Sequence, residues 1–463
     1  MVNRIKITYV DSQDIQSCYL TKEQAYKYNL EDRNEYVIIN IGICSIKLKK
    51  HILRDTEKGI ETLCLSSDIK EKLYIDEGTI MQISAAEDGI LEIGPYIGIF
   101  INQSKIEMLT EGNEIYEYTW FDKTSKHLYG YSYFFSIEGI DWDKCLIKGV
   151  VNINGRWIFK TCLFPKVIYD RNVENNSRIE SFELRERLCG RCKIINSIAK
   201  LTKLSTIKVL EKNEKLVNLI PQTVKCNSCK DIERVMESYR SVYLKPDSLS
   251  KGKGVYKITK KSDNHYKVEY RTAERNHVVT LNDIEEIDIL LEQYSENGGG
   301  YIIQKEINKA LFRGNTFDLR VLFQKDYSGT WKLSGIAARI AAEGSIITSP
   351  RSGGVVEDFS IILKEVFGQE PSSKGGIYER LVYFGREICS SIEKAFGDCV
   401  ELGLDMAIDI NHKIWIIEVN GKPLMVSLKR LNNPEIMARC LRRPIEYAAS
   451  LTNFASWDTS NKY

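Results

Sequence analysis

Long apolar runs are missing from this 463-residue sequence, and none approaches the roughly 18 residues that a membrane-spanning helix requires. Neither sign of charge dominates, because 65 lysines and arginines are balanced by 63 aspartates and glutamates, which leaves a net charge of +2. This balance argues against a chain-wide surface for nucleic acid or another polyanion. Histidine is scarce, and none of the five histidines lies in a recognisable triad or general-base pattern. These absences argue against a membrane span, a nucleic-acid partner and histidine-based catalysis.

The residues that are present indicate a folded chain of several domains. An apolar content of 43% and a charged content of 28% are those of a globular protein, and they exclude a disordered or collagen-like chain. The length suffices for about three domains. Residues 1–8 alternate polar and apolar types, which predicts a strand and no signal peptide. We therefore expect a cytoplasmic protein.

Two pairs of cysteines are the candidates for a structural zinc site. Among the twelve cysteines, Cys189 with Cys192 and Cys226 with Cys229 form Cys-x-x-Cys pairs. Four such thiolates can hold one zinc ion in a tetrahedral site. The gap between the pairs is about twice the usual one, however, and it contains a predicted helix. Adventitious thiols in a reducing compartment are therefore the preferred interpretation, and zinc is the alternative.

The sequence predicts three regions that differ in their content of strands and helices. Residues 1–100 are rich in strands and carry an internal repeat, in which a short capped helix precedes a β-rich segment; two such halves would close a pseudo-symmetric β-barrel. Residues 101–197 mix aromatic strands, turns and a helix, whereas residues 198–463 alternate strands with helices. We therefore predict a multi-domain fold of the mixed α+β and α/β class. The elements predicted in the last region include helices over 203–217, 230–240, 282–295 and 379–396 and a strand over 301–307.

The most informative pattern lies in residues 403–420, where two apolar strands flank a polar turn. A two-residue loop at 411–412 would place Asp405 opposite Glu418, and strand alternation would put Asn420 on the same face as Glu418. Directly opposed β carbons lie about 5 Å apart. Two carboxylates and an amide oxygen would thus converge, and Mg²⁺ prefers such ligands beside substrate phosphates. We favour a metal site over the alternative, a solvated acidic hairpin.

A second pattern is typical of phosphate binding. A short apolar strand ends at Lys245 and leads into a loop rich in serine and glycine at 248–254. Backbone amides of small residues can approach phosphate oxygens closely, and a lysine supplies the opposing charge. The loop is not a Walker A motif, because no Gly-Lys-Ser/Thr sequence opens a helix. A solvated turn is the alternative interpretation.

A third pattern places an aspartate and two arginines within apolar strands. Asp318 and Arg320 share a face of the first strand, and a turn at 328–329 would pair Asp318 with Arg339 on the next strand. Such a group can be a structural ion-pair cluster, or it can orient a sugar hydroxyl and neutralise a phosphate. The pattern leaves both interpretations open.

Taken in order, these segments resemble the ATP-grasp superfamily, and within it most closely the spore-coat-associated YheC/YheD-type ATP-grasp family. The resemblance rests on the lysine before the small-residue loop, the Gln-Lys-Glu-Ile segment at 304–307, the Asp-x-Arg pair and the late D…E-x-N hairpin. Matching stretches at 165–171, 220–223 and 352–354 extend it over roughly 165–425. It implies a pre-ATP-grasp region over 101–197 and an ATP-grasp domain over 198–463, with an ATP-binding subdomain at about 205–307 and a catalytic and metal-binding subdomain at about 308–450.

The resemblance also implies ligands and residue roles. The chain would bind ATP with two magnesium ions, and the metal ligands would be Asp405, Glu418 and Asn420. The residues expected at the nucleotide are Lys203, Lys245, Ser250, Gly252, Gly254, Gln304, Lys305, Glu306, Ile307 and Asp318. The expected catalytic residues are Arg320 and Arg339, with Arg339 near the transferred phosphoryl group. Segment 344–354 would be a mobile loop over the acceptor, with substrate contacts from Arg351, Ser352, Gly353 and Gly354.

The activity implied is ATP-dependent ligation of a carboxylate to an amine through an acylphosphate, on a peptide or a spore-coat-associated substrate. This chemistry needs charge stabilisation and alignment of the reactants, and it needs no side-chain nucleophile. One alternative is a catalytically silent, nucleotide-binding coat or scaffold protein, because Leu249 stands where the family usually has a glycine in the phosphate loop. The other alternative is a kinase built on the same fold.

Overall fold

The computed structural model describes most of the chain and divides it into two compact units. The first unit comprises residues 1–199, 325–330 and 441–463, and the second comprises residues 200–324 and 331–440. Within the described ranges, every helix is too short or too polar to cross a bilayer. The domain boundaries at 100 and 197 stay predictions. The described residues are 2–30, 35–53, 61–86, 89–173, 177–188, 190–198, 201–248, 254–262, 265–272, 274–287 and 300–454.

A closed barrel opens the first unit and confirms the prediction for the N-terminal region. Alternate side chains of its strands are fully buried, for example Ile5 and Ile7 on one strand and Leu63 and Leu65 on its neighbour. The barrel order within the described residues is β1-β5-β2-β4-β3-β7-β6. The elements are β1 (Arg4–Val10), β2 (Ser17–Thr21), α1 (Lys22–Lys27), β3 (Tyr36–Ile41), β4 (Cys44–Leu53), β5 (Thr62–Ser66), α2 (Lys70–Leu73), β6 (Ile80–Ala85) and β7 (Ile90–Gly94).

The two copies of the predicted repeat differ at their helix caps. The hydroxyl of Thr21 accepts a hydrogen bond from the backbone N–H of Gln24 and caps α1 as predicted. Ser66 makes no cap hydrogen bond, because its hydroxyl accepts instead from the backbone N–H of Ser17 at 2.9 Å. The second half of the repeat therefore begins with a 3-10 turn before α2.

A mixed sheet completes the first unit. Its strand order is β10-β11-β9-β8-β13-β14, with β12 paired to β11. Pairing is parallel for β8 with β9, for β8 with β13 and for β13 with β14. It is antiparallel for β11 with β10 and for β11 with β12. The elements are β8 (Tyr96–Phe100), α3 (Gln103–Thr110), α4 (Tyr116–His127), β9 (Tyr131–Phe135), β10 (Ile140–Asp141), β11 (Leu146–Ile153), β12 (Arg156–Leu163), β13 (Val167–Asp170), α5 (Ser177–Leu188) and β14 (Lys193–Ile195).

The second unit begins with an antiparallel sheet of order β15-β20-β16-β17-β18-β19. Ile232, on a helix that covers this sheet, packs with Val242, Leu244 and Ile303 in the core of the sheet. One side of the strand that ends near Lys245 is fixed by this packing. The elements are α6 (Lys203–Leu210), β15 (Thr223–Cys226), α7 (Cys229–Met236), β16 (Ser241–Pro246), β17 (Tyr256–Ser262), β18 (His265–Arg271), β19 (Asn276–Leu281) and β20 (Tyr301–Lys305).

The last sheet has the order β24-β23-β22-β25-β26, with β21 paired to β22. The long helix predicted over 379–396 is confirmed as α9, and Gly385 on its buried face leaves room for Phe323, whose ring would lie 2.1 Å from an added Cβ. The elements are β21 (Leu311–Phe312), β22 (Asn315–Lys325), β23 (Trp331–Ile340), β24 (Val355–Asp358), α8 (Phe359–Phe367), α9 (Ile377–Phe396), β25 (Glu401–Ile408), β26 (Ile414–Asn420), α10 (Val426–Lys429) and α11 (Pro434–Ser450).

Several element ends differ from the prediction. The helix predicted over 203–217 stops at Leu210, because the side chain of Asn213 accepts the backbone N–H of Lys215 and replaces the helix with a turn. Helix α7 ends at Met236, before the predicted end at residue 240, and β20 ends at Lys305. Of the helix predicted over 282–295, residues 284–286 form a 3-10 turn and residues 288–295 lie outside the described part of the chain.

Candidate active site

Two neighbouring strands bring the predicted metal ligands together. Asp405 on β25 and Glu418 on β26 are direct cross-strand partners, as the sequence predicted. Asn420 pairs with Gly403 two positions further along, so its side chain lies on the same face as that of Glu418. The side chain of Asp405 is 11% exposed and that of Glu418 is 23% exposed. The cluster is therefore partly shielded from water but not sealed.

The turn between these strands differs from the predicted two-residue loop at 411–412. Ile408 pairs with Ile414, which makes the loop longer than predicted, and a bulge next to Asp405 then shifts the register by one residue. The extra loop residue and the bulge compensate for each other. Asp405 consequently still lies opposite Glu418.

The carboxylate of Asp409 explains the longer loop. One of its oxygens accepts the backbone N–H groups of Asn411 and Lys413, both at 2.9 Å, and the other accepts the indole N–H of Trp415 at 2.8 Å. These three hydrogen bonds close the turn around the aspartate side chain. Asp409 therefore fixes the hairpin that carries the predicted metal ligands.

An ion-pair network surrounds Asp405. Its Oδ1 lies 3.0 Å from Arg320 Nε, and its Oδ2 lies 3.2 Å from Arg339 Nη2. Arg339 Nε also donates to Asp318 Oδ1 at 2.6 Å, so the predicted contact between these two residues is present. The other oxygen of Asp318 accepts the hydroxyl of Thr348 at 2.5 Å. Two carboxylates and two guanidinium groups thus balance each other within the strands.

The charges of this network shift its pKa values. Burial alone would raise the pKa of Asp318, but the charges of Arg339 and Lys309 and the hydrogen bonds from Arg339 and Thr348 hold it below its usual value. Burial lowers the pKa of Arg320, and the neighbouring Arg339 lowers it further. Burial acts in the same direction on Arg339, but the two aspartates overcome it and raise the pKa of that guanidinium. Asp318 is therefore an anion that secures a cationic Arg339.

Lys245 is held at the end of β16, where the sequence predicted a phosphate contact. Its Nζ donates to the side-chain oxygen of Gln304 on the neighbouring β20 at 2.6 Å. The amide nitrogen of Gln304 in turn donates to the hydroxyl of Thr223 at 3.0 Å. This chain of hydrogen bonds gives the half-buried lysine a fixed position.

The pKa of Lys245 connects it with the carboxylate cluster. Burial, together with the cationic Lys309 and Lys203, lowers this pKa to about 7 against the opposing charges of Glu418 and Asp318. The two sheets of the second unit thus bring the lysine and both acidic residues within electrostatic reach of one another. A phosphate group beside Lys245 would favour its charged form.

Lys203 reaches the same cluster from the start of α6. Its Nζ lies 3.8 Å from Glu418 Oε1. Thr202 and Ser205 cap the helix reciprocally, and the backbone N–H of Lys203 donates to the carbonyl oxygen of Asp247 at 3.1 Å. The helix start is therefore fastened to the chain just beyond Lys245.

The segment 304–307, which is predicted to contact the nucleotide, has polar partners of its own. Glu306 makes an ion pair with Lys257 at 2.6 Å, and the ammonium group of Lys305 lies 4.8 Å from the ring centre of Tyr239. Ile307 follows β20 and is half-buried. Of the predicted phosphate loop, Ser250 and Gly252 lie outside the described residues, whereas Gly254 is buried with a φ of +66°.

The predicted acceptor segment is tied down at its second half. The carbonyl oxygen of Pro350 accepts a hydrogen bond from Arg430 Nη1 at 2.9 Å. Gly354 is buried, and a Cβ there would lie 2.6 Å from the carbonyl oxygen of Thr348 and 2.9 Å from that of Ile340. Packing therefore requires glycine at 354.

The middle of that segment presents groups to the outside. Arg351 and Gly353 are exposed, and Ser352 donates its backbone N–H to the carbonyl oxygen of Ser349 at 2.9 Å. Gly353 has a φ of +83°, a conformation that favours glycine, and Nη2 of Arg271 lies 4.0 Å from the position of an added Cβ. The substrate roles of these residues stay predictions.

Several of the described residues at the site had not been predicted. Lys309, Lys257 and Thr348 contact or influence predicted residues from other elements, and their local sequence gives no signal of this. Gly403 is another such residue, because a Cβ there would lie 2.9 Å from Arg320 Nη1. A glycine two residues before Asp405 could have suggested a close approach of another group.

The described residues cover three of the four cysteines of the candidate zinc site. Cys189 lies outside the described residues, and the described cysteines form no disulfide bond. Among the residues that the structure describes, no three His, Cys, Asp or Glu side chains gather closely enough to hold a metal ion. The predicted metal site contains two side chains of these types, Asp405 and Glu418, together with Asn420.

Comparison with known proteins identifies the family. The model of the YheC/D-like ATP-grasp family matches residues 191–451, which is more than half of the sequence. The chain belongs to this family. The YheC/D-like ATP-grasp match contains every described site residue discussed above, from Lys203 to Asn420.

Two relatives of this ATP-grasp chain come from Bacillus subtilis (strain 168). The endospore coat-associated protein YheD is 25% identical over 426 residues, which cover 89% of this chain and 89% of that protein. The endospore coat-associated protein YheC is 19% identical over 213 residues, which cover 46% of this chain and 57% of that protein.

Two solved structures are also similar to this ATP-grasp chain. D-alanyl-alanine synthetase A from Vibrio cholerae has a TM-score of 0.47 at 11% identity, covering 78% of this chain and 98% of that one. The VanG D-Ala:D-Ser ligase from Enterococcus faecalis has a TM-score of 0.45 at 12% identity, covering 78% of this chain and 99% of that one.

The residues present fit a magnesium ion. Asp405 Oδ1 is buried and, among the described residues, makes no hydrogen bond of good geometry. The contact of Asp405 with Arg320 Nε is an ion pair without the alignment of a hydrogen bond. A buried carboxylate oxygen with unused lone pairs suits a hard cation.

Proposed function

We propose that this chain is an ATP-dependent carboxylate–amine ligase, which forms an amide or peptide bond through an acylphosphate. The observation that supports this most is the opposition of Asp405 and Glu418 beside Arg320 and Arg339, within electrostatic reach of Lys245. Oxygen ligands for a cation and fixed cations for phosphates then belong to one site. Phosphoryl transfer needs this combination and no side-chain nucleophile.

Each residue has a defined task in the proposed reaction. Asp405, Glu418 and Asn420 would hold magnesium, which would neutralise charge on the phosphates of ATP. Lys245 contacts the phosphates from β16, and Arg339 stabilises the transferred phosphoryl group. A carboxylate oxygen of the substrate attacks the γ-phosphorus, and ADP leaves. The amine nitrogen then attacks the acyl carbon, inorganic phosphate leaves, and the amine loses a proton to solvent.

We infer a coat-associated peptide substrate from the relatives. Both curated relatives are called endospore coat-associated. The exposed Arg351 in the segment beside Thr348 could bind the carboxylate end of such a peptide. Incubation of the full chain with ATP, magnesium and coat-derived peptides should yield a product whose mass shows loss of one water on joining.

Hydroxylamine trapping tests the acylphosphate. The full chain is incubated with ATP, magnesium and a panel of carboxylates, and ADP release is compared with hydroxamate formation. We expect a carboxylate that stimulates ADP release to yield hydroxamate in a magnesium-dependent way. Stimulated ADP release without hydroxamate would contradict the proposal, and a phosphorylated hydroxyl product would indicate a kinase instead.

A nucleotide-binding protein without turnover is the second candidate. The observation that favours it is the pairing of both oxygens of Asp405 with Arg320 and Arg339, because a cation has to compete with these guanidinium groups. In this case the chain would bind the magnesium–nucleotide complex tightly, yet no carboxylate or amine would stimulate ADP release.

A further inference from the structure

A continuous series of buried contacts links Thr348 to Asp405. The hydroxyl of Thr348 donates to Asp318, Arg339 Nε donates to the other oxygen of Asp318, and Arg339 Nη2 pairs with Asp405. All four residues are at most 8% exposed. The series therefore runs from the predicted acceptor segment to a predicted metal ligand without passing through solvent.

Thr348 occupies a distinctive place in its segment. Among the residues that the structure describes, the hydroxyl of Ser345 bonds only within the segment. It accepts the backbone N–H of Ile347 at 3.1 Å and donates to the carbonyl oxygen of the same residue. Ser349 likewise accepts the backbone N–H of Arg351 at 3.3 Å. Thr348 instead bonds to a strand residue of the site at 2.5 Å.

The hydroxyl of Thr348 fixes the orientation of Asp318. Each oxygen of this carboxylate has one described donor, Thr348 on one side and Arg339 on the other. Without the hydroxyl, one buried oxygen would lose its hydrogen bond, and the carboxylate would gain by rotating towards Arg339. That rotation would move the guanidinium group that bridges Asp318 and Asp405.

We propose that Thr348 is a positioning residue, which holds Arg339 in place through Asp318 and thereby couples segment 345–354 to the magnesium–nucleotide site. This inference rests on the proposed function. A ligand that engages Asp405 alters the charge that Arg339 faces, and the network passes this change to Thr348. Coupling between sites is reciprocal. A ligand bound at segment 345–354 therefore strengthens nucleotide binding by the same factor by which bound nucleotide strengthens the binding of that ligand.

Hydrogen exchange of the full chain tests this coupling. Exchange of amides in segment 345–354 is measured with and without magnesium and a non-hydrolysable ATP analogue, and the affinity for the analogue is measured by calorimetry. We expect the analogue to slow exchange in the wild-type segment by about tenfold, because the completed network opens less often. The Thr348→Val variant should lose this response, and Thr348→Ser should retain it.

A matched control lies in the same segment. Ser349→Ala removes a hydroxyl that does not contact Asp318 in the described contacts, so it should keep the response to the analogue. A wild-type chain that binds the analogue without any change in segment 345–354 would overturn the inference and leave the proposed function standing. A folded Thr348→Val variant that responds to the analogue like the wild type would also overturn the inference and leave the proposed function standing. A wild-type chain that binds no analogue would overturn both.

Discussion

Asp405 and Glu418 face each other as direct partners across β25 and β26. Opposed carboxylates repel, and here cations compensate for the repulsion: Arg320 and Arg339 contact Asp405, and Lys203 approaches Glu418. The compensation is unequal, because Asp405 has two close arginines and Glu418 has one lysine at 3.8 Å. Substitutions of the two carboxylates should therefore differ in their effects.

The first prediction separates stability from metal binding. Asp405→Asn should lower the free energy of unfolding by about 3 kcal/mol, because it leaves two largely buried arginines with less compensation. Glu418→Gln should change it by less than about 1 kcal/mol, since the ion pair is long and partly exposed. Both variants should lose magnesium-dependent nucleotide binding. Chemical denaturation and calorimetry measure the two effects, and equal losses of stability would contradict this account.

The second prediction concerns pH. Burial lowers the pKa of Lys245 to about 7 in the ligand-free chain, and a bound phosphate would raise it. The contribution of Lys245 to nucleotide affinity is therefore fully present below pH 7, where the lysine is already protonated, and it falls by up to about tenfold per pH unit above it. The dissociation constant of the magnesium–ATP analogue complex, measured from about pH 7 to about pH 9, reports this fall.

Lys245→Arg is the control for this prediction. Arginine stays protonated over the same range, so the variant should bind with little dependence on pH. If the wild type and the variant show the same slope, Lys245 is not the titrating group.

The third prediction tests the space around Arg320. In Gly403→Ala, the new methyl group would lie 2.9 Å from Arg320 Nη1 and 2.7 Å from Pro423 Cβ, so the guanidinium group has to move. We expect a loss of about 1–3 kcal/mol in stability and a fall in ATP turnover. Gly335→Ala is the matched control, since its methyl group would meet Ile436 at 2.8 Å, in a contact that involves none of the site residues. It should lose stability without a comparable loss of turnover per folded molecule.

The fourth prediction concerns the hairpin turn. Asp409→Ala removes the acceptor of three hydrogen bonds, from Asn411, Lys413 and Trp415. Because each such bond contributes about 1 kcal/mol, the variant should lose about 2–3 kcal/mol of stability. Pairing of Asp405 with Glu418 should survive, so the folded variant should still bind nucleotide. Loss of binding at full folding would show that the turn itself sets the register.

Local patterns predicted those parts of the site that lie within a hairpin. Asp405 faces Glu418 and Asp318 contacts Arg339 because residue counts and strand alternation decide these contacts. The two-residue turn was wrong, since the carboxylate of Asp409 closes a longer loop and a bulge restores the register. Such compensation between two irregularities leaves no trace in hydropathy.

The sequence pattern did not predict contacts between separate elements. Arg320 meets Asp405 because β22 and β25 are neighbours in the sheet, and this order is not encoded in either strand alone. Thr348 reaches Asp318 from an irregular segment for the same reason. In the first unit, alternating strands sufficed to predict a barrel, whereas its strand order was not predicted.

The most direct test of the site is to titrate manganese, which is visible by electron paramagnetic resonance and can replace magnesium, into the full chain with a non-hydrolysable ATP analogue. This account predicts that wild-type protein removes free manganese from solution beyond what the analogue alone binds, and that Glu418→Gln abolishes the extra binding. Equal manganese binding by the wild type and Glu418→Gln, or none beyond the analogue's own, would contradict a metal–nucleotide site at Asp405, Glu418 and Asn420.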